Sequence, residues 1–229
     1  MLRVGLTGGL ASGKSTVAAL LRELGAALIE ADELGRALME PGQIVYQEIV
    51  RHFGAEVLLA DGHLDRKRLA ELAFGQGRLQ ELNAIVHPAV IRAQQQWMQG
   101  IFQKDPDAIA VVESALIFEV VRDAVARGER DGILANWRER MDRVIVVTAP
   151  EELRIARYVA RVSGAEGDRE LARADALRRL AYQIPDAEKA AQADEVIENT
   201  GDLADLRRKV TAVWQRLKAT ATNFPGDRL

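Results

Sequence analysis

The chain has 229 residues, of which 48% are hydrophobic, and its 31 lysine and arginine residues against 34 aspartate and glutamate residues give a net charge of −3. This composition excludes a disordered or collagen-like chain, and the lack of cysteine excludes disulfides, thiol nucleophiles and cysteine-bound metals. The acidic balance argues against nucleic-acid and membrane-surface partners, which select a basic excess. No apolar run exceeds five residues and the N-terminus lacks a secretory signal, so we expect a soluble cytoplasmic protein.

Short apolar segments that alternate with helical patterns predict the fold. The first segment runs directly into glycines, and apolar residues at helical spacing follow it over 15–24 until Gly25. Strands that alternate with helices imply a parallel sheet with helices on both faces, so we predict a three-layer α/β fold. The predicted strands lie at 2–7, 26–29, 108–112, 144–147 and, more weakly, 195–197.

Two segments interrupt this alternation. Residues 33–105 are mostly helical in pattern and too long for a simple crossover, so we interpret them as an inserted lobe. Residues 122–143 mix arginines with acidic residues around two glycines, which predicts a solvated helical excursion outside the core. A terminal helix is predicted over 202–217 with Asp202 as its N-cap, and residues 222–229 are expected to fray.

One motif in the chain carries clear chemistry. Residues 8–15 match Gly-x4-Gly-Lys-Ser, and the match lies between a predicted strand and a predicted helix. Glycines let the backbone wrap closely around phosphates, while backbone N–H groups and the helix N-terminus attract them. Lys14 would reach the β- and γ-phosphates and the hydroxyl of Ser15 would ligate Mg²⁺. The residues expected to bind ATP here are Gly8, Gly9, Ala11, Ser12, Gly13, Lys14, Ser15 and Thr16.

The loop predicts that a nucleoside triphosphate binds, but it does not indicate which reaction the protein catalyses. A GTPase would carry an Asn-Lys-x-Asp motif, which this chain lacks, and a motor ATPase would end an apolar strand in Asp-Glu, whereas 108–112 is followed by Glu113 and Ser114. A small-molecule kinase needs an acceptor lobe and a closing lid, and both interruptions lie where these would lie. Another nucleoside or nucleotide kinase, or a regulatory nucleotide-binding module without catalysis, stays open.

A longer series of segments resembles the dephospho-coenzyme A kinase family in order from about residue 2 to residue 217. The series begins with Gly-Leu-Thr-Gly-Gly at 5–9 and Ser-Gly-Lys-Ser-Thr-Val at 12–17. The following segments continue it: Glu-Ala-Asp-Glu-Leu-Gly-Arg at 30–36, Glu-Pro-Gly at 40–42, Leu-Asn-Ala-Ile-Val-His-Pro at 82–88, Leu-Ile-Phe-Glu at 116–119, Asp-Arg-Val-Ile-Val-Val at 142–147, Gln-Ile-Pro at 183–185, Lys189, Ala-Asp at 193–194 and Asn-Thr-Gly at 199–201.

The resemblance implies phosphorylation of the ribose 3′-hydroxyl of dephospho-CoA by ATP, with Mg²⁺, as the last step of coenzyme A synthesis. It implies a P-loop NTPase-type sheet as nucleotide-binding core (1–32 and 106–229), a helical acceptor lobe at 33–105 and a lid at 151–183. The implied site residues are Asp32, Lys14 and Arg157 for catalysis, Arg161 for ATP, and Arg36, His87 and Glu119 for the substrate. Oligomeric state is left open.

The chain departs from the family pattern at a few positions. Ala11 stands where the family usually has glycine, Ala115 where it has proline, and Glu30 where it has aspartate. At Ala11 a Cβ costs on the order of 1 kcal/mol if the backbone φ is positive. The segment 122–143 is also longer than the family pattern leads us to expect.

Several site residues have simpler alternatives. Arg154, Arg157 and Arg161 share one helix face, which could be a solvated face with Glu151 paired to Arg154. Asp32 could cap a helix that begins at the next residue.

His87 and Glu119 have structural alternatives as well. Next to Pro88, His87 could lie in a loop where its ring bonds locally. Glu119 could favour a helix N-terminus.

Overall fold

A computed structural model describes residues 1–163 and 166–223, and it contains an α/β fold. Five strands form one all-parallel sheet in the order β2-β3-β1-β4-β5. The elements are β1 (Leu2–Gly8), α1 (Lys14–Glu23), β2 (Ala27–Glu30), α2 (Ala31–Leu38), α3 (Ile44–Phe53), α4 (Arg66–Ala70), α5 (Leu79–Lys104), β3 (Ile109–Glu113), α6 (Ile117–Ala126), β4 (Arg143–Thr148), α7 (Glu151–Val162), α8 (Glu166–Tyr182), α9 (Asp186–Ala190), β5 (Glu195–Glu198) and α10 (Leu203–Asn223).

The strands alternate their side chains between two apolar layers, as a sheet covered on both faces requires. In β4, Ile145 and Val147 pack on one face with α1 and α10, while Val144 and Val146 pack on the other with α5 and α6. The predicted three-layer fold is therefore confirmed. The five predicted strands each overlap an observed strand and differ from it by one or two residues at the ends.

The sheet register brings the functional loops to one edge. In the central pair of strands, Leu6 of β1 lies opposite Glu113 of β3, and in the next pair Gly8 lies opposite Val147. All the strands run in the same direction, so the turns that follow β1, β2 and β3 lie together at their carboxyl ends. Ligands of open α/β sheets bind at this edge.

Helices α2 to α5 occupy the region predicted as an inserted lobe. They are joined by a 3₁₀ turn at Ala55–Val57 and a π-helical turn at Glu71–Gly75. A separate apolar cluster around Val45, Ile49 and Val57 lies between α3 and α5. This region therefore has a core of its own beside the sheet.

The predicted solvated excursion at 122–143 is only partly correct. The segment has little helix beyond the end of α6, with one 3₁₀ turn at Trp137–Glu139, and two of its side chains join the core. Trp137 and Met141 are buried, and the ring of Trp137 packs edge-on against Phe118 with centroids 5.8 Å apart. The high average polarity of the segment gave no indication that these two apolar side chains are buried.

The terminal helix extends to Asn223, and Asp202 caps it by accepting a hydrogen bond from the backbone N–H of Asp205 at 2.8 Å. Most of the predicted frayed end, residues 224–229, lies outside the described residues. Among 1–163 and 166–223, no helix has the length and apolar character needed to cross a membrane.

Candidate active site

The Gly-x4-Gly-Lys-Ser motif forms the connection between β1 and α1. Gly8 is the last residue of β1, Lys14 is the first residue of α1, and the backbone carbonyl of Gly13 accepts hydrogen bonds from Thr16 and Val17. Gly13 has a φ of 101°, and a Cβ there would lie 2.1 Å from Nδ2 of Asn199. Only glycine fits this position, and the predicted strand–loop–helix arrangement is confirmed.

Ala11 has a φ of 53°, and no other described non-glycine residue has a positive φ. The left-handed conformation brings a Cβ too close to the following carbonyl and costs on the order of 1 kcal/mol for an alanine. The loop therefore carries backbone strain at Ala11.

Lys14 lies next to a second titratable group at the end of the central strands. Its Nζ donates a hydrogen bond to the backbone carbonyl of Gly9 at 3.1 Å, and burial lowers its pKa while the charge of Glu113 opposes that shift. Burial raises the pKa of Glu113, against the effect of Lys14, and its Oε2 is buried without a hydrogen bond. Sequence reasoning used Glu113 only to reject a motor ATPase and missed it as a site residue.

A first cavity of about 520 Å³ opens over the loop. Lys14 and Ser15 lie at its base, with carboxylates from β2, α2 and β3 along one side. Helices α7 and α8 line the opposite side with three arginines. The charged residues that line it are Lys14, Glu30, Asp32, Glu113, Arg161, Asp175, Arg178 and Arg179. Cations over a loop of this kind suit a polyphosphate.

A second cavity of about 560 Å³ lies between α2, α5 and α6 and contains two of the predicted substrate residues, Arg36 and His87. The two cavities are adjacent because five residues line both of them. These shared residues are Asp32, Phe74, Ser114, Leu116 and Arg179. A donor in the first cavity and an acceptor in the second would therefore meet at Asp32.

Asp32 lies in the first turn of α2, which begins at Ala31 with Glu30 as its N-cap residue. The alternative in which Asp32 caps the helix is therefore wrong. The side chain is exposed to the cavities, and the described residues give its carboxylate no hydrogen bond. An acidic group in a first turn is stabilised by the helix N-terminus and keeps its lone pairs available.

His87 lies inside α5 and not in a loop, because Pro88 is accommodated within that long helix. Its ring faces the second cavity, and burial lowers its pKa to about 4. Nδ1 is buried without a hydrogen bond. The ring is thus neutral at pH 7 and has a hydrogen-bonding position to offer a ligand.

The solvated-face alternative for the arginines of α7 is wrong for Arg154 and Arg157, which contact other parts of the chain, whereas Arg161 is exposed. Arg154 is only 7% exposed, lies against Gly9 and pairs with Asp186 at 3.4 Å instead of with Glu151. Arg157 donates to the backbone carbonyl of Asn199 at 3.1 Å, next to the phosphate-binding loop, and its Nη1 is buried without a partner.

Arg161, one turn further along α7, lines the first cavity, with its guanidinium 5.5 Å from the ring centroid of Tyr158. One face of α7 therefore follows the loop and the cavity above it.

Glu119 does not line either cavity, contrary to the expectation that it contacts substrate. It is fully buried in the first turn of α6, where it pairs with Lys189 at 2.7 Å and accepts a hydrogen bond from the backbone N–H of Ile184 at 2.9 Å. Lys189 also donates to the carbonyl of Ala115 at 3.2 Å. The pair joins the turn after β3 to the segment after α8.

Several residues at the loop were present in the family-like segments but were not predicted as site residues. The side chain of Gln183 accepts a hydrogen bond from the N–H of Leu10 at 2.9 Å, and Asn199 donates to the carbonyl of Ser12 at 2.8 Å. Two more, Phe74 and Arg179, line both cavities without any recognisable motif. Their place follows from the packing of helices distant in sequence.

The parallel sheet, the phosphate-binding loop after its central strand and the adjoining second cavity define a P-loop kinase. A family model described as dephospho-CoA kinase matches residues 2–128 and 132–205. The dephospho-CoA kinases of Anaeromyxobacter dehalogenans and Moorella thermoacetica are 42% and 38% identical to this chain, cover 99% and 98% of it, and match over 95% and 96% of their own lengths. The chain belongs to the dephospho-CoA kinase family and is a phosphotransferase of coenzyme A biosynthesis.

Solved structures agree with this assignment. A protein from Thermus thermophilus superposes with a TM-score of 0.70 at 33% identity, over 94% of this chain and 97% of that one. Dephospho-CoA kinase from Campylobacter jejuni superposes with a TM-score of 0.61 at 26% identity, over 95% and 98%. The family match is interrupted only at 129–131 before residue 205, inside the segment expected to be longer than in the family.

Proposed function

We propose that the chain transfers the γ-phosphoryl group of ATP to the ribose 3′-hydroxyl of dephospho-CoA, giving coenzyme A and ADP. The observation that carries this proposal is the meeting of two cavities at Asp32, one over the phosphate-binding loop and one beside α5. Family membership supplies the identity of donor and acceptor. The ATP consumed is available in the cytoplasm, where we place the reaction.

The phosphate-binding loop holds the donor in this proposal. Backbone N–H groups of residues 8–13 and the N-terminus of α1 bind the phosphate oxygens, and Lys14 exchanges its hydrogen bond to Gly9 for the β- and γ-phosphates. Release of Lys14 from a backbone carbonyl costs little, because no carboxylate forms an ion pair with it in the described part of the chain. Its charge is thus directed at the ligand.

The residues around Lys14 fit a magnesium ion. The Ser15 hydroxyl and the carboxylates of Asp32 and Glu113 line the first cavity, and the buried Oε2 of Glu113 lacks a hydrogen bond. Oxygen ligands of this kind are those Mg²⁺ takes, together with nucleotide phosphates and water. When bound, Mg²⁺ neutralises charge on the phosphate oxygens. Ser15 would hold it, with the two carboxylates orienting its water.

Asp32 acts on the acceptor hydroxyl. A ribose hydroxyl is too weak an acid to ionise by itself, so a carboxylate within hydrogen-bonding reach orients it and accepts its proton. The ribose oxygen forms a bond to the γ-phosphorus as the bond from that phosphorus to the bridging oxygen of ADP breaks. The electron pair leaves with ADP, and the proton passes to Asp32. Because the transition state is loose, orientation contributes as well as basicity.

Helices α7 and α8 act as a lid, and the residues 33–105 as the acceptor lobe. Arg161, Arg178 and Arg179 line the first cavity from the lid side, and Arg157 lies beside the loop. Cations held there stabilise the charge of the transferring group and exclude water when the lid closes. Arg36 and His87 line the acceptor cavity.

An acceptor panel tests the proposal. Wild-type protein is incubated with ATP, Mg²⁺ and dephospho-CoA, AMP or adenosine, and products are resolved by chromatography, with Lys14→Ala as the inactive control. We expect coenzyme A and ADP in equal amounts and little product from the smaller acceptors. Turnover of another acceptor in place of dephospho-CoA would make the protein a different nucleoside or nucleotide kinase. ATP binding without transfer to any of them would favour a regulatory module.

A further inference from the structure

Arg140 is a buried cation that has no anionic partner among the described residues. It lies in the segment between α6 and β4 and is 3% exposed. Nη2 donates to the backbone carbonyl of Ile117 at 3.2 Å, while Nε is buried without a hydrogen bond. Within 1–163 and 166–223 no carboxylate forms an ion pair with it, and burial alone lowers its pKa to about 10. A buried guanidinium left unpaired is costly, so a ligand that neutralises it would be bound strongly.

The environment of Arg140 is the acceptor cavity. Arg140 lines this second cavity together with His87, and does not line the first cavity over the phosphate-binding loop. The charged groups that line the second cavity are one carboxylate, Asp32, and four arginines, Arg36, Arg66, Arg140 and Arg179. His87 adds a neutral ring with an unpartnered Nδ1. Arg66 pairs with Glu40 at 3.6 Å and Arg179 with Asp175 at 2.7 Å. Among the described residues Arg36 and Arg140 have no carboxylate partner, so these two cations favour an anionic ligand in the cavity.

The position of Arg140 is fixed before any ligand binds. Trp137 and Met141 on either side of it are both buried in the core, and Arg138 covers the outer face of the Trp137 ring at 4.2 Å from its centroid. Two buried anchors four residues apart leave the intervening backbone little freedom. A guanidinium held in this way loses little entropy when it binds phosphate oxygens in its planar fork.

We infer that Arg140, assisted by His87, binds the 5′-diphosphate of the acceptor nucleotide and so sets the specificity of the second cavity for dephospho-CoA over adenosine. The inference rests on the proposed function for the identity of the acceptor. In that acceptor the diphosphate is joined through one ribose to the hydroxyl that Asp32 orients, and Asp32 lines the same cavity. Binding the diphosphate at Arg140 would therefore help to place the 3′-hydroxyl at Asp32. Arg140 is thus a positioning residue.

Calorimetric titration with dephospho-CoA tests the inference, with the donor site filled by a non-hydrolysable ATP analogue. Arg140→Met keeps much of the side-chain volume and removes the charge, and we expect it to raise Kd by roughly 10- to 100-fold, the range of a hydrogen bond to a charged group. Arg140→Lys should have a Kd between those of the wild type and Arg140→Met. Arg138→Met in the same segment is the matched control, since Arg138 is exposed, and should leave Kd within about twofold.

Adenosine diphosphate ribose separates the diphosphate from the pantetheine arm, since it carries the first and lacks the second. We expect Arg140→Met to raise Kd for adenosine diphosphate ribose and Kd for dephospho-CoA by the same factor. A higher Kd for dephospho-CoA alone would mean that Arg140 contacts the pantetheine arm, and this would overturn the inference. An unchanged Kd for both ligands would overturn it as well. If Arg140→Met does not fold by circular dichroism, the Arg140→Lys comparison with the two ligands decides.

Kinetics distinguish failure of this inference from failure of the proposed function. In Arg140→Met we expect KM for dephospho-CoA to rise by the factor seen in Kd, with kcat at saturation changed less than KM. A merely structural role for Arg140 would lower the melting temperature and leave Kd for each of the two ligands equal to that of the Arg138→Met control. If wild-type protein binds dephospho-CoA without phosphorylating it, the proposed function fails while the binding comparison still judges Arg140.

Discussion

Replacement of Asp32 by asparagine tests the centre of the proposed mechanism. The side chain lies where the two cavities meet, and the described residues give it no hydrogen bond. Asparagine has nearly the same size and can still orient a hydroxyl, but it cannot accept the proton. Because Glu30 and not Asp32 occupies the N-cap position of α2, the substitution leaves the start of the helix intact. Catalysis and folding are thus separable at this residue.

The position of Asp32 predicts a large loss of rate and a small loss of stability for Asp32→Asn. Loss of a general base lowers rates by roughly 10²–10⁴-fold, so we expect kcat to fall at least a hundredfold, or about 2.7 kcal/mol of transition-state stabilisation. Removal of a carboxylate from the first turn of a helix costs about 0.3–1 kcal/mol of stability. For a chain of this size that corresponds to a melting temperature lowered by roughly 1–4 °C.

The assay measures kcat at saturating ATP and dephospho-CoA, with affinities for both ligands and the melting temperature of each variant. Glu33→Gln is the matched control, because Glu33 is the next acidic residue in the same first turn and lines neither cavity. It should show the same small loss of stability and normal kcat. If Asp32→Asn keeps more than about a tenth of wild-type kcat, Asp32 only orients the acceptor, and the assignment as general base is refuted.

Three further predictions concern the loop and the lid. Lys14→Ala should lower kcat by a factor of roughly 10²–10³ with an unchanged melting temperature, and near-normal turnover would contradict the loop assignment. Arg157→Ala and Arg161→Ala should each lower kcat more than they weaken dephospho-CoA binding; unchanged kcat in both, at saturating ATP, would remove them from the mechanism. Ala11→Gly relieves about 1 kcal/mol of strain and costs about 0.4–1 kcal/mol through the unfolded state, so stability in denaturant unfolding should rise by at most about 0.6 kcal/mol. Ala19→Gly on the exposed side of α1 should lower stability by about 1 kcal/mol, and an equal loss in Ala11→Gly would contradict the strain at φ 53°.

The parts of the site that sequence reasoning located are those formed by consecutive residues. The strand, the loop and the first turn of α1 follow one another in 2–24, so an apolar run, glycines and helical spacing were enough to predict them. Asp32 was located in the same way, because it follows β2 and carboxyl ends of parallel strands share an edge. The predicted identity of the loop residues needed no knowledge of distant packing.

Packing between distant elements decides the rest, and single-sequence patterns carry no signal for it. Glu119 looks like an ordinary acidic residue at a helix start, and only the folded chain brings Lys189 against it. Arg140 looks like one of several arginines in a charged segment. Because its neighbour Met141 is buried in the core, the side chain of Arg140 lines the second cavity. A mixed-charge composition averages over such residues, so the prediction of a solvated excursion missed the two side chains that fix the segment.

The arrangement of the strands brings the phosphate-binding loop, Glu113 and Asp32 to one edge of the sheet. β1 ends in the phosphate-binding loop, β2 runs directly into the turn with Asp32, and β3 between them ends in Glu113. The strand order therefore places Glu113, whose charge opposes the lowering of the pKa of Lys14 by burial, between the phosphate-binding loop and Asp32. Arg154 of α7 lies against Gly9 of the phosphate-binding loop. We therefore expect a movement of α7 to shift the backbone of this loop.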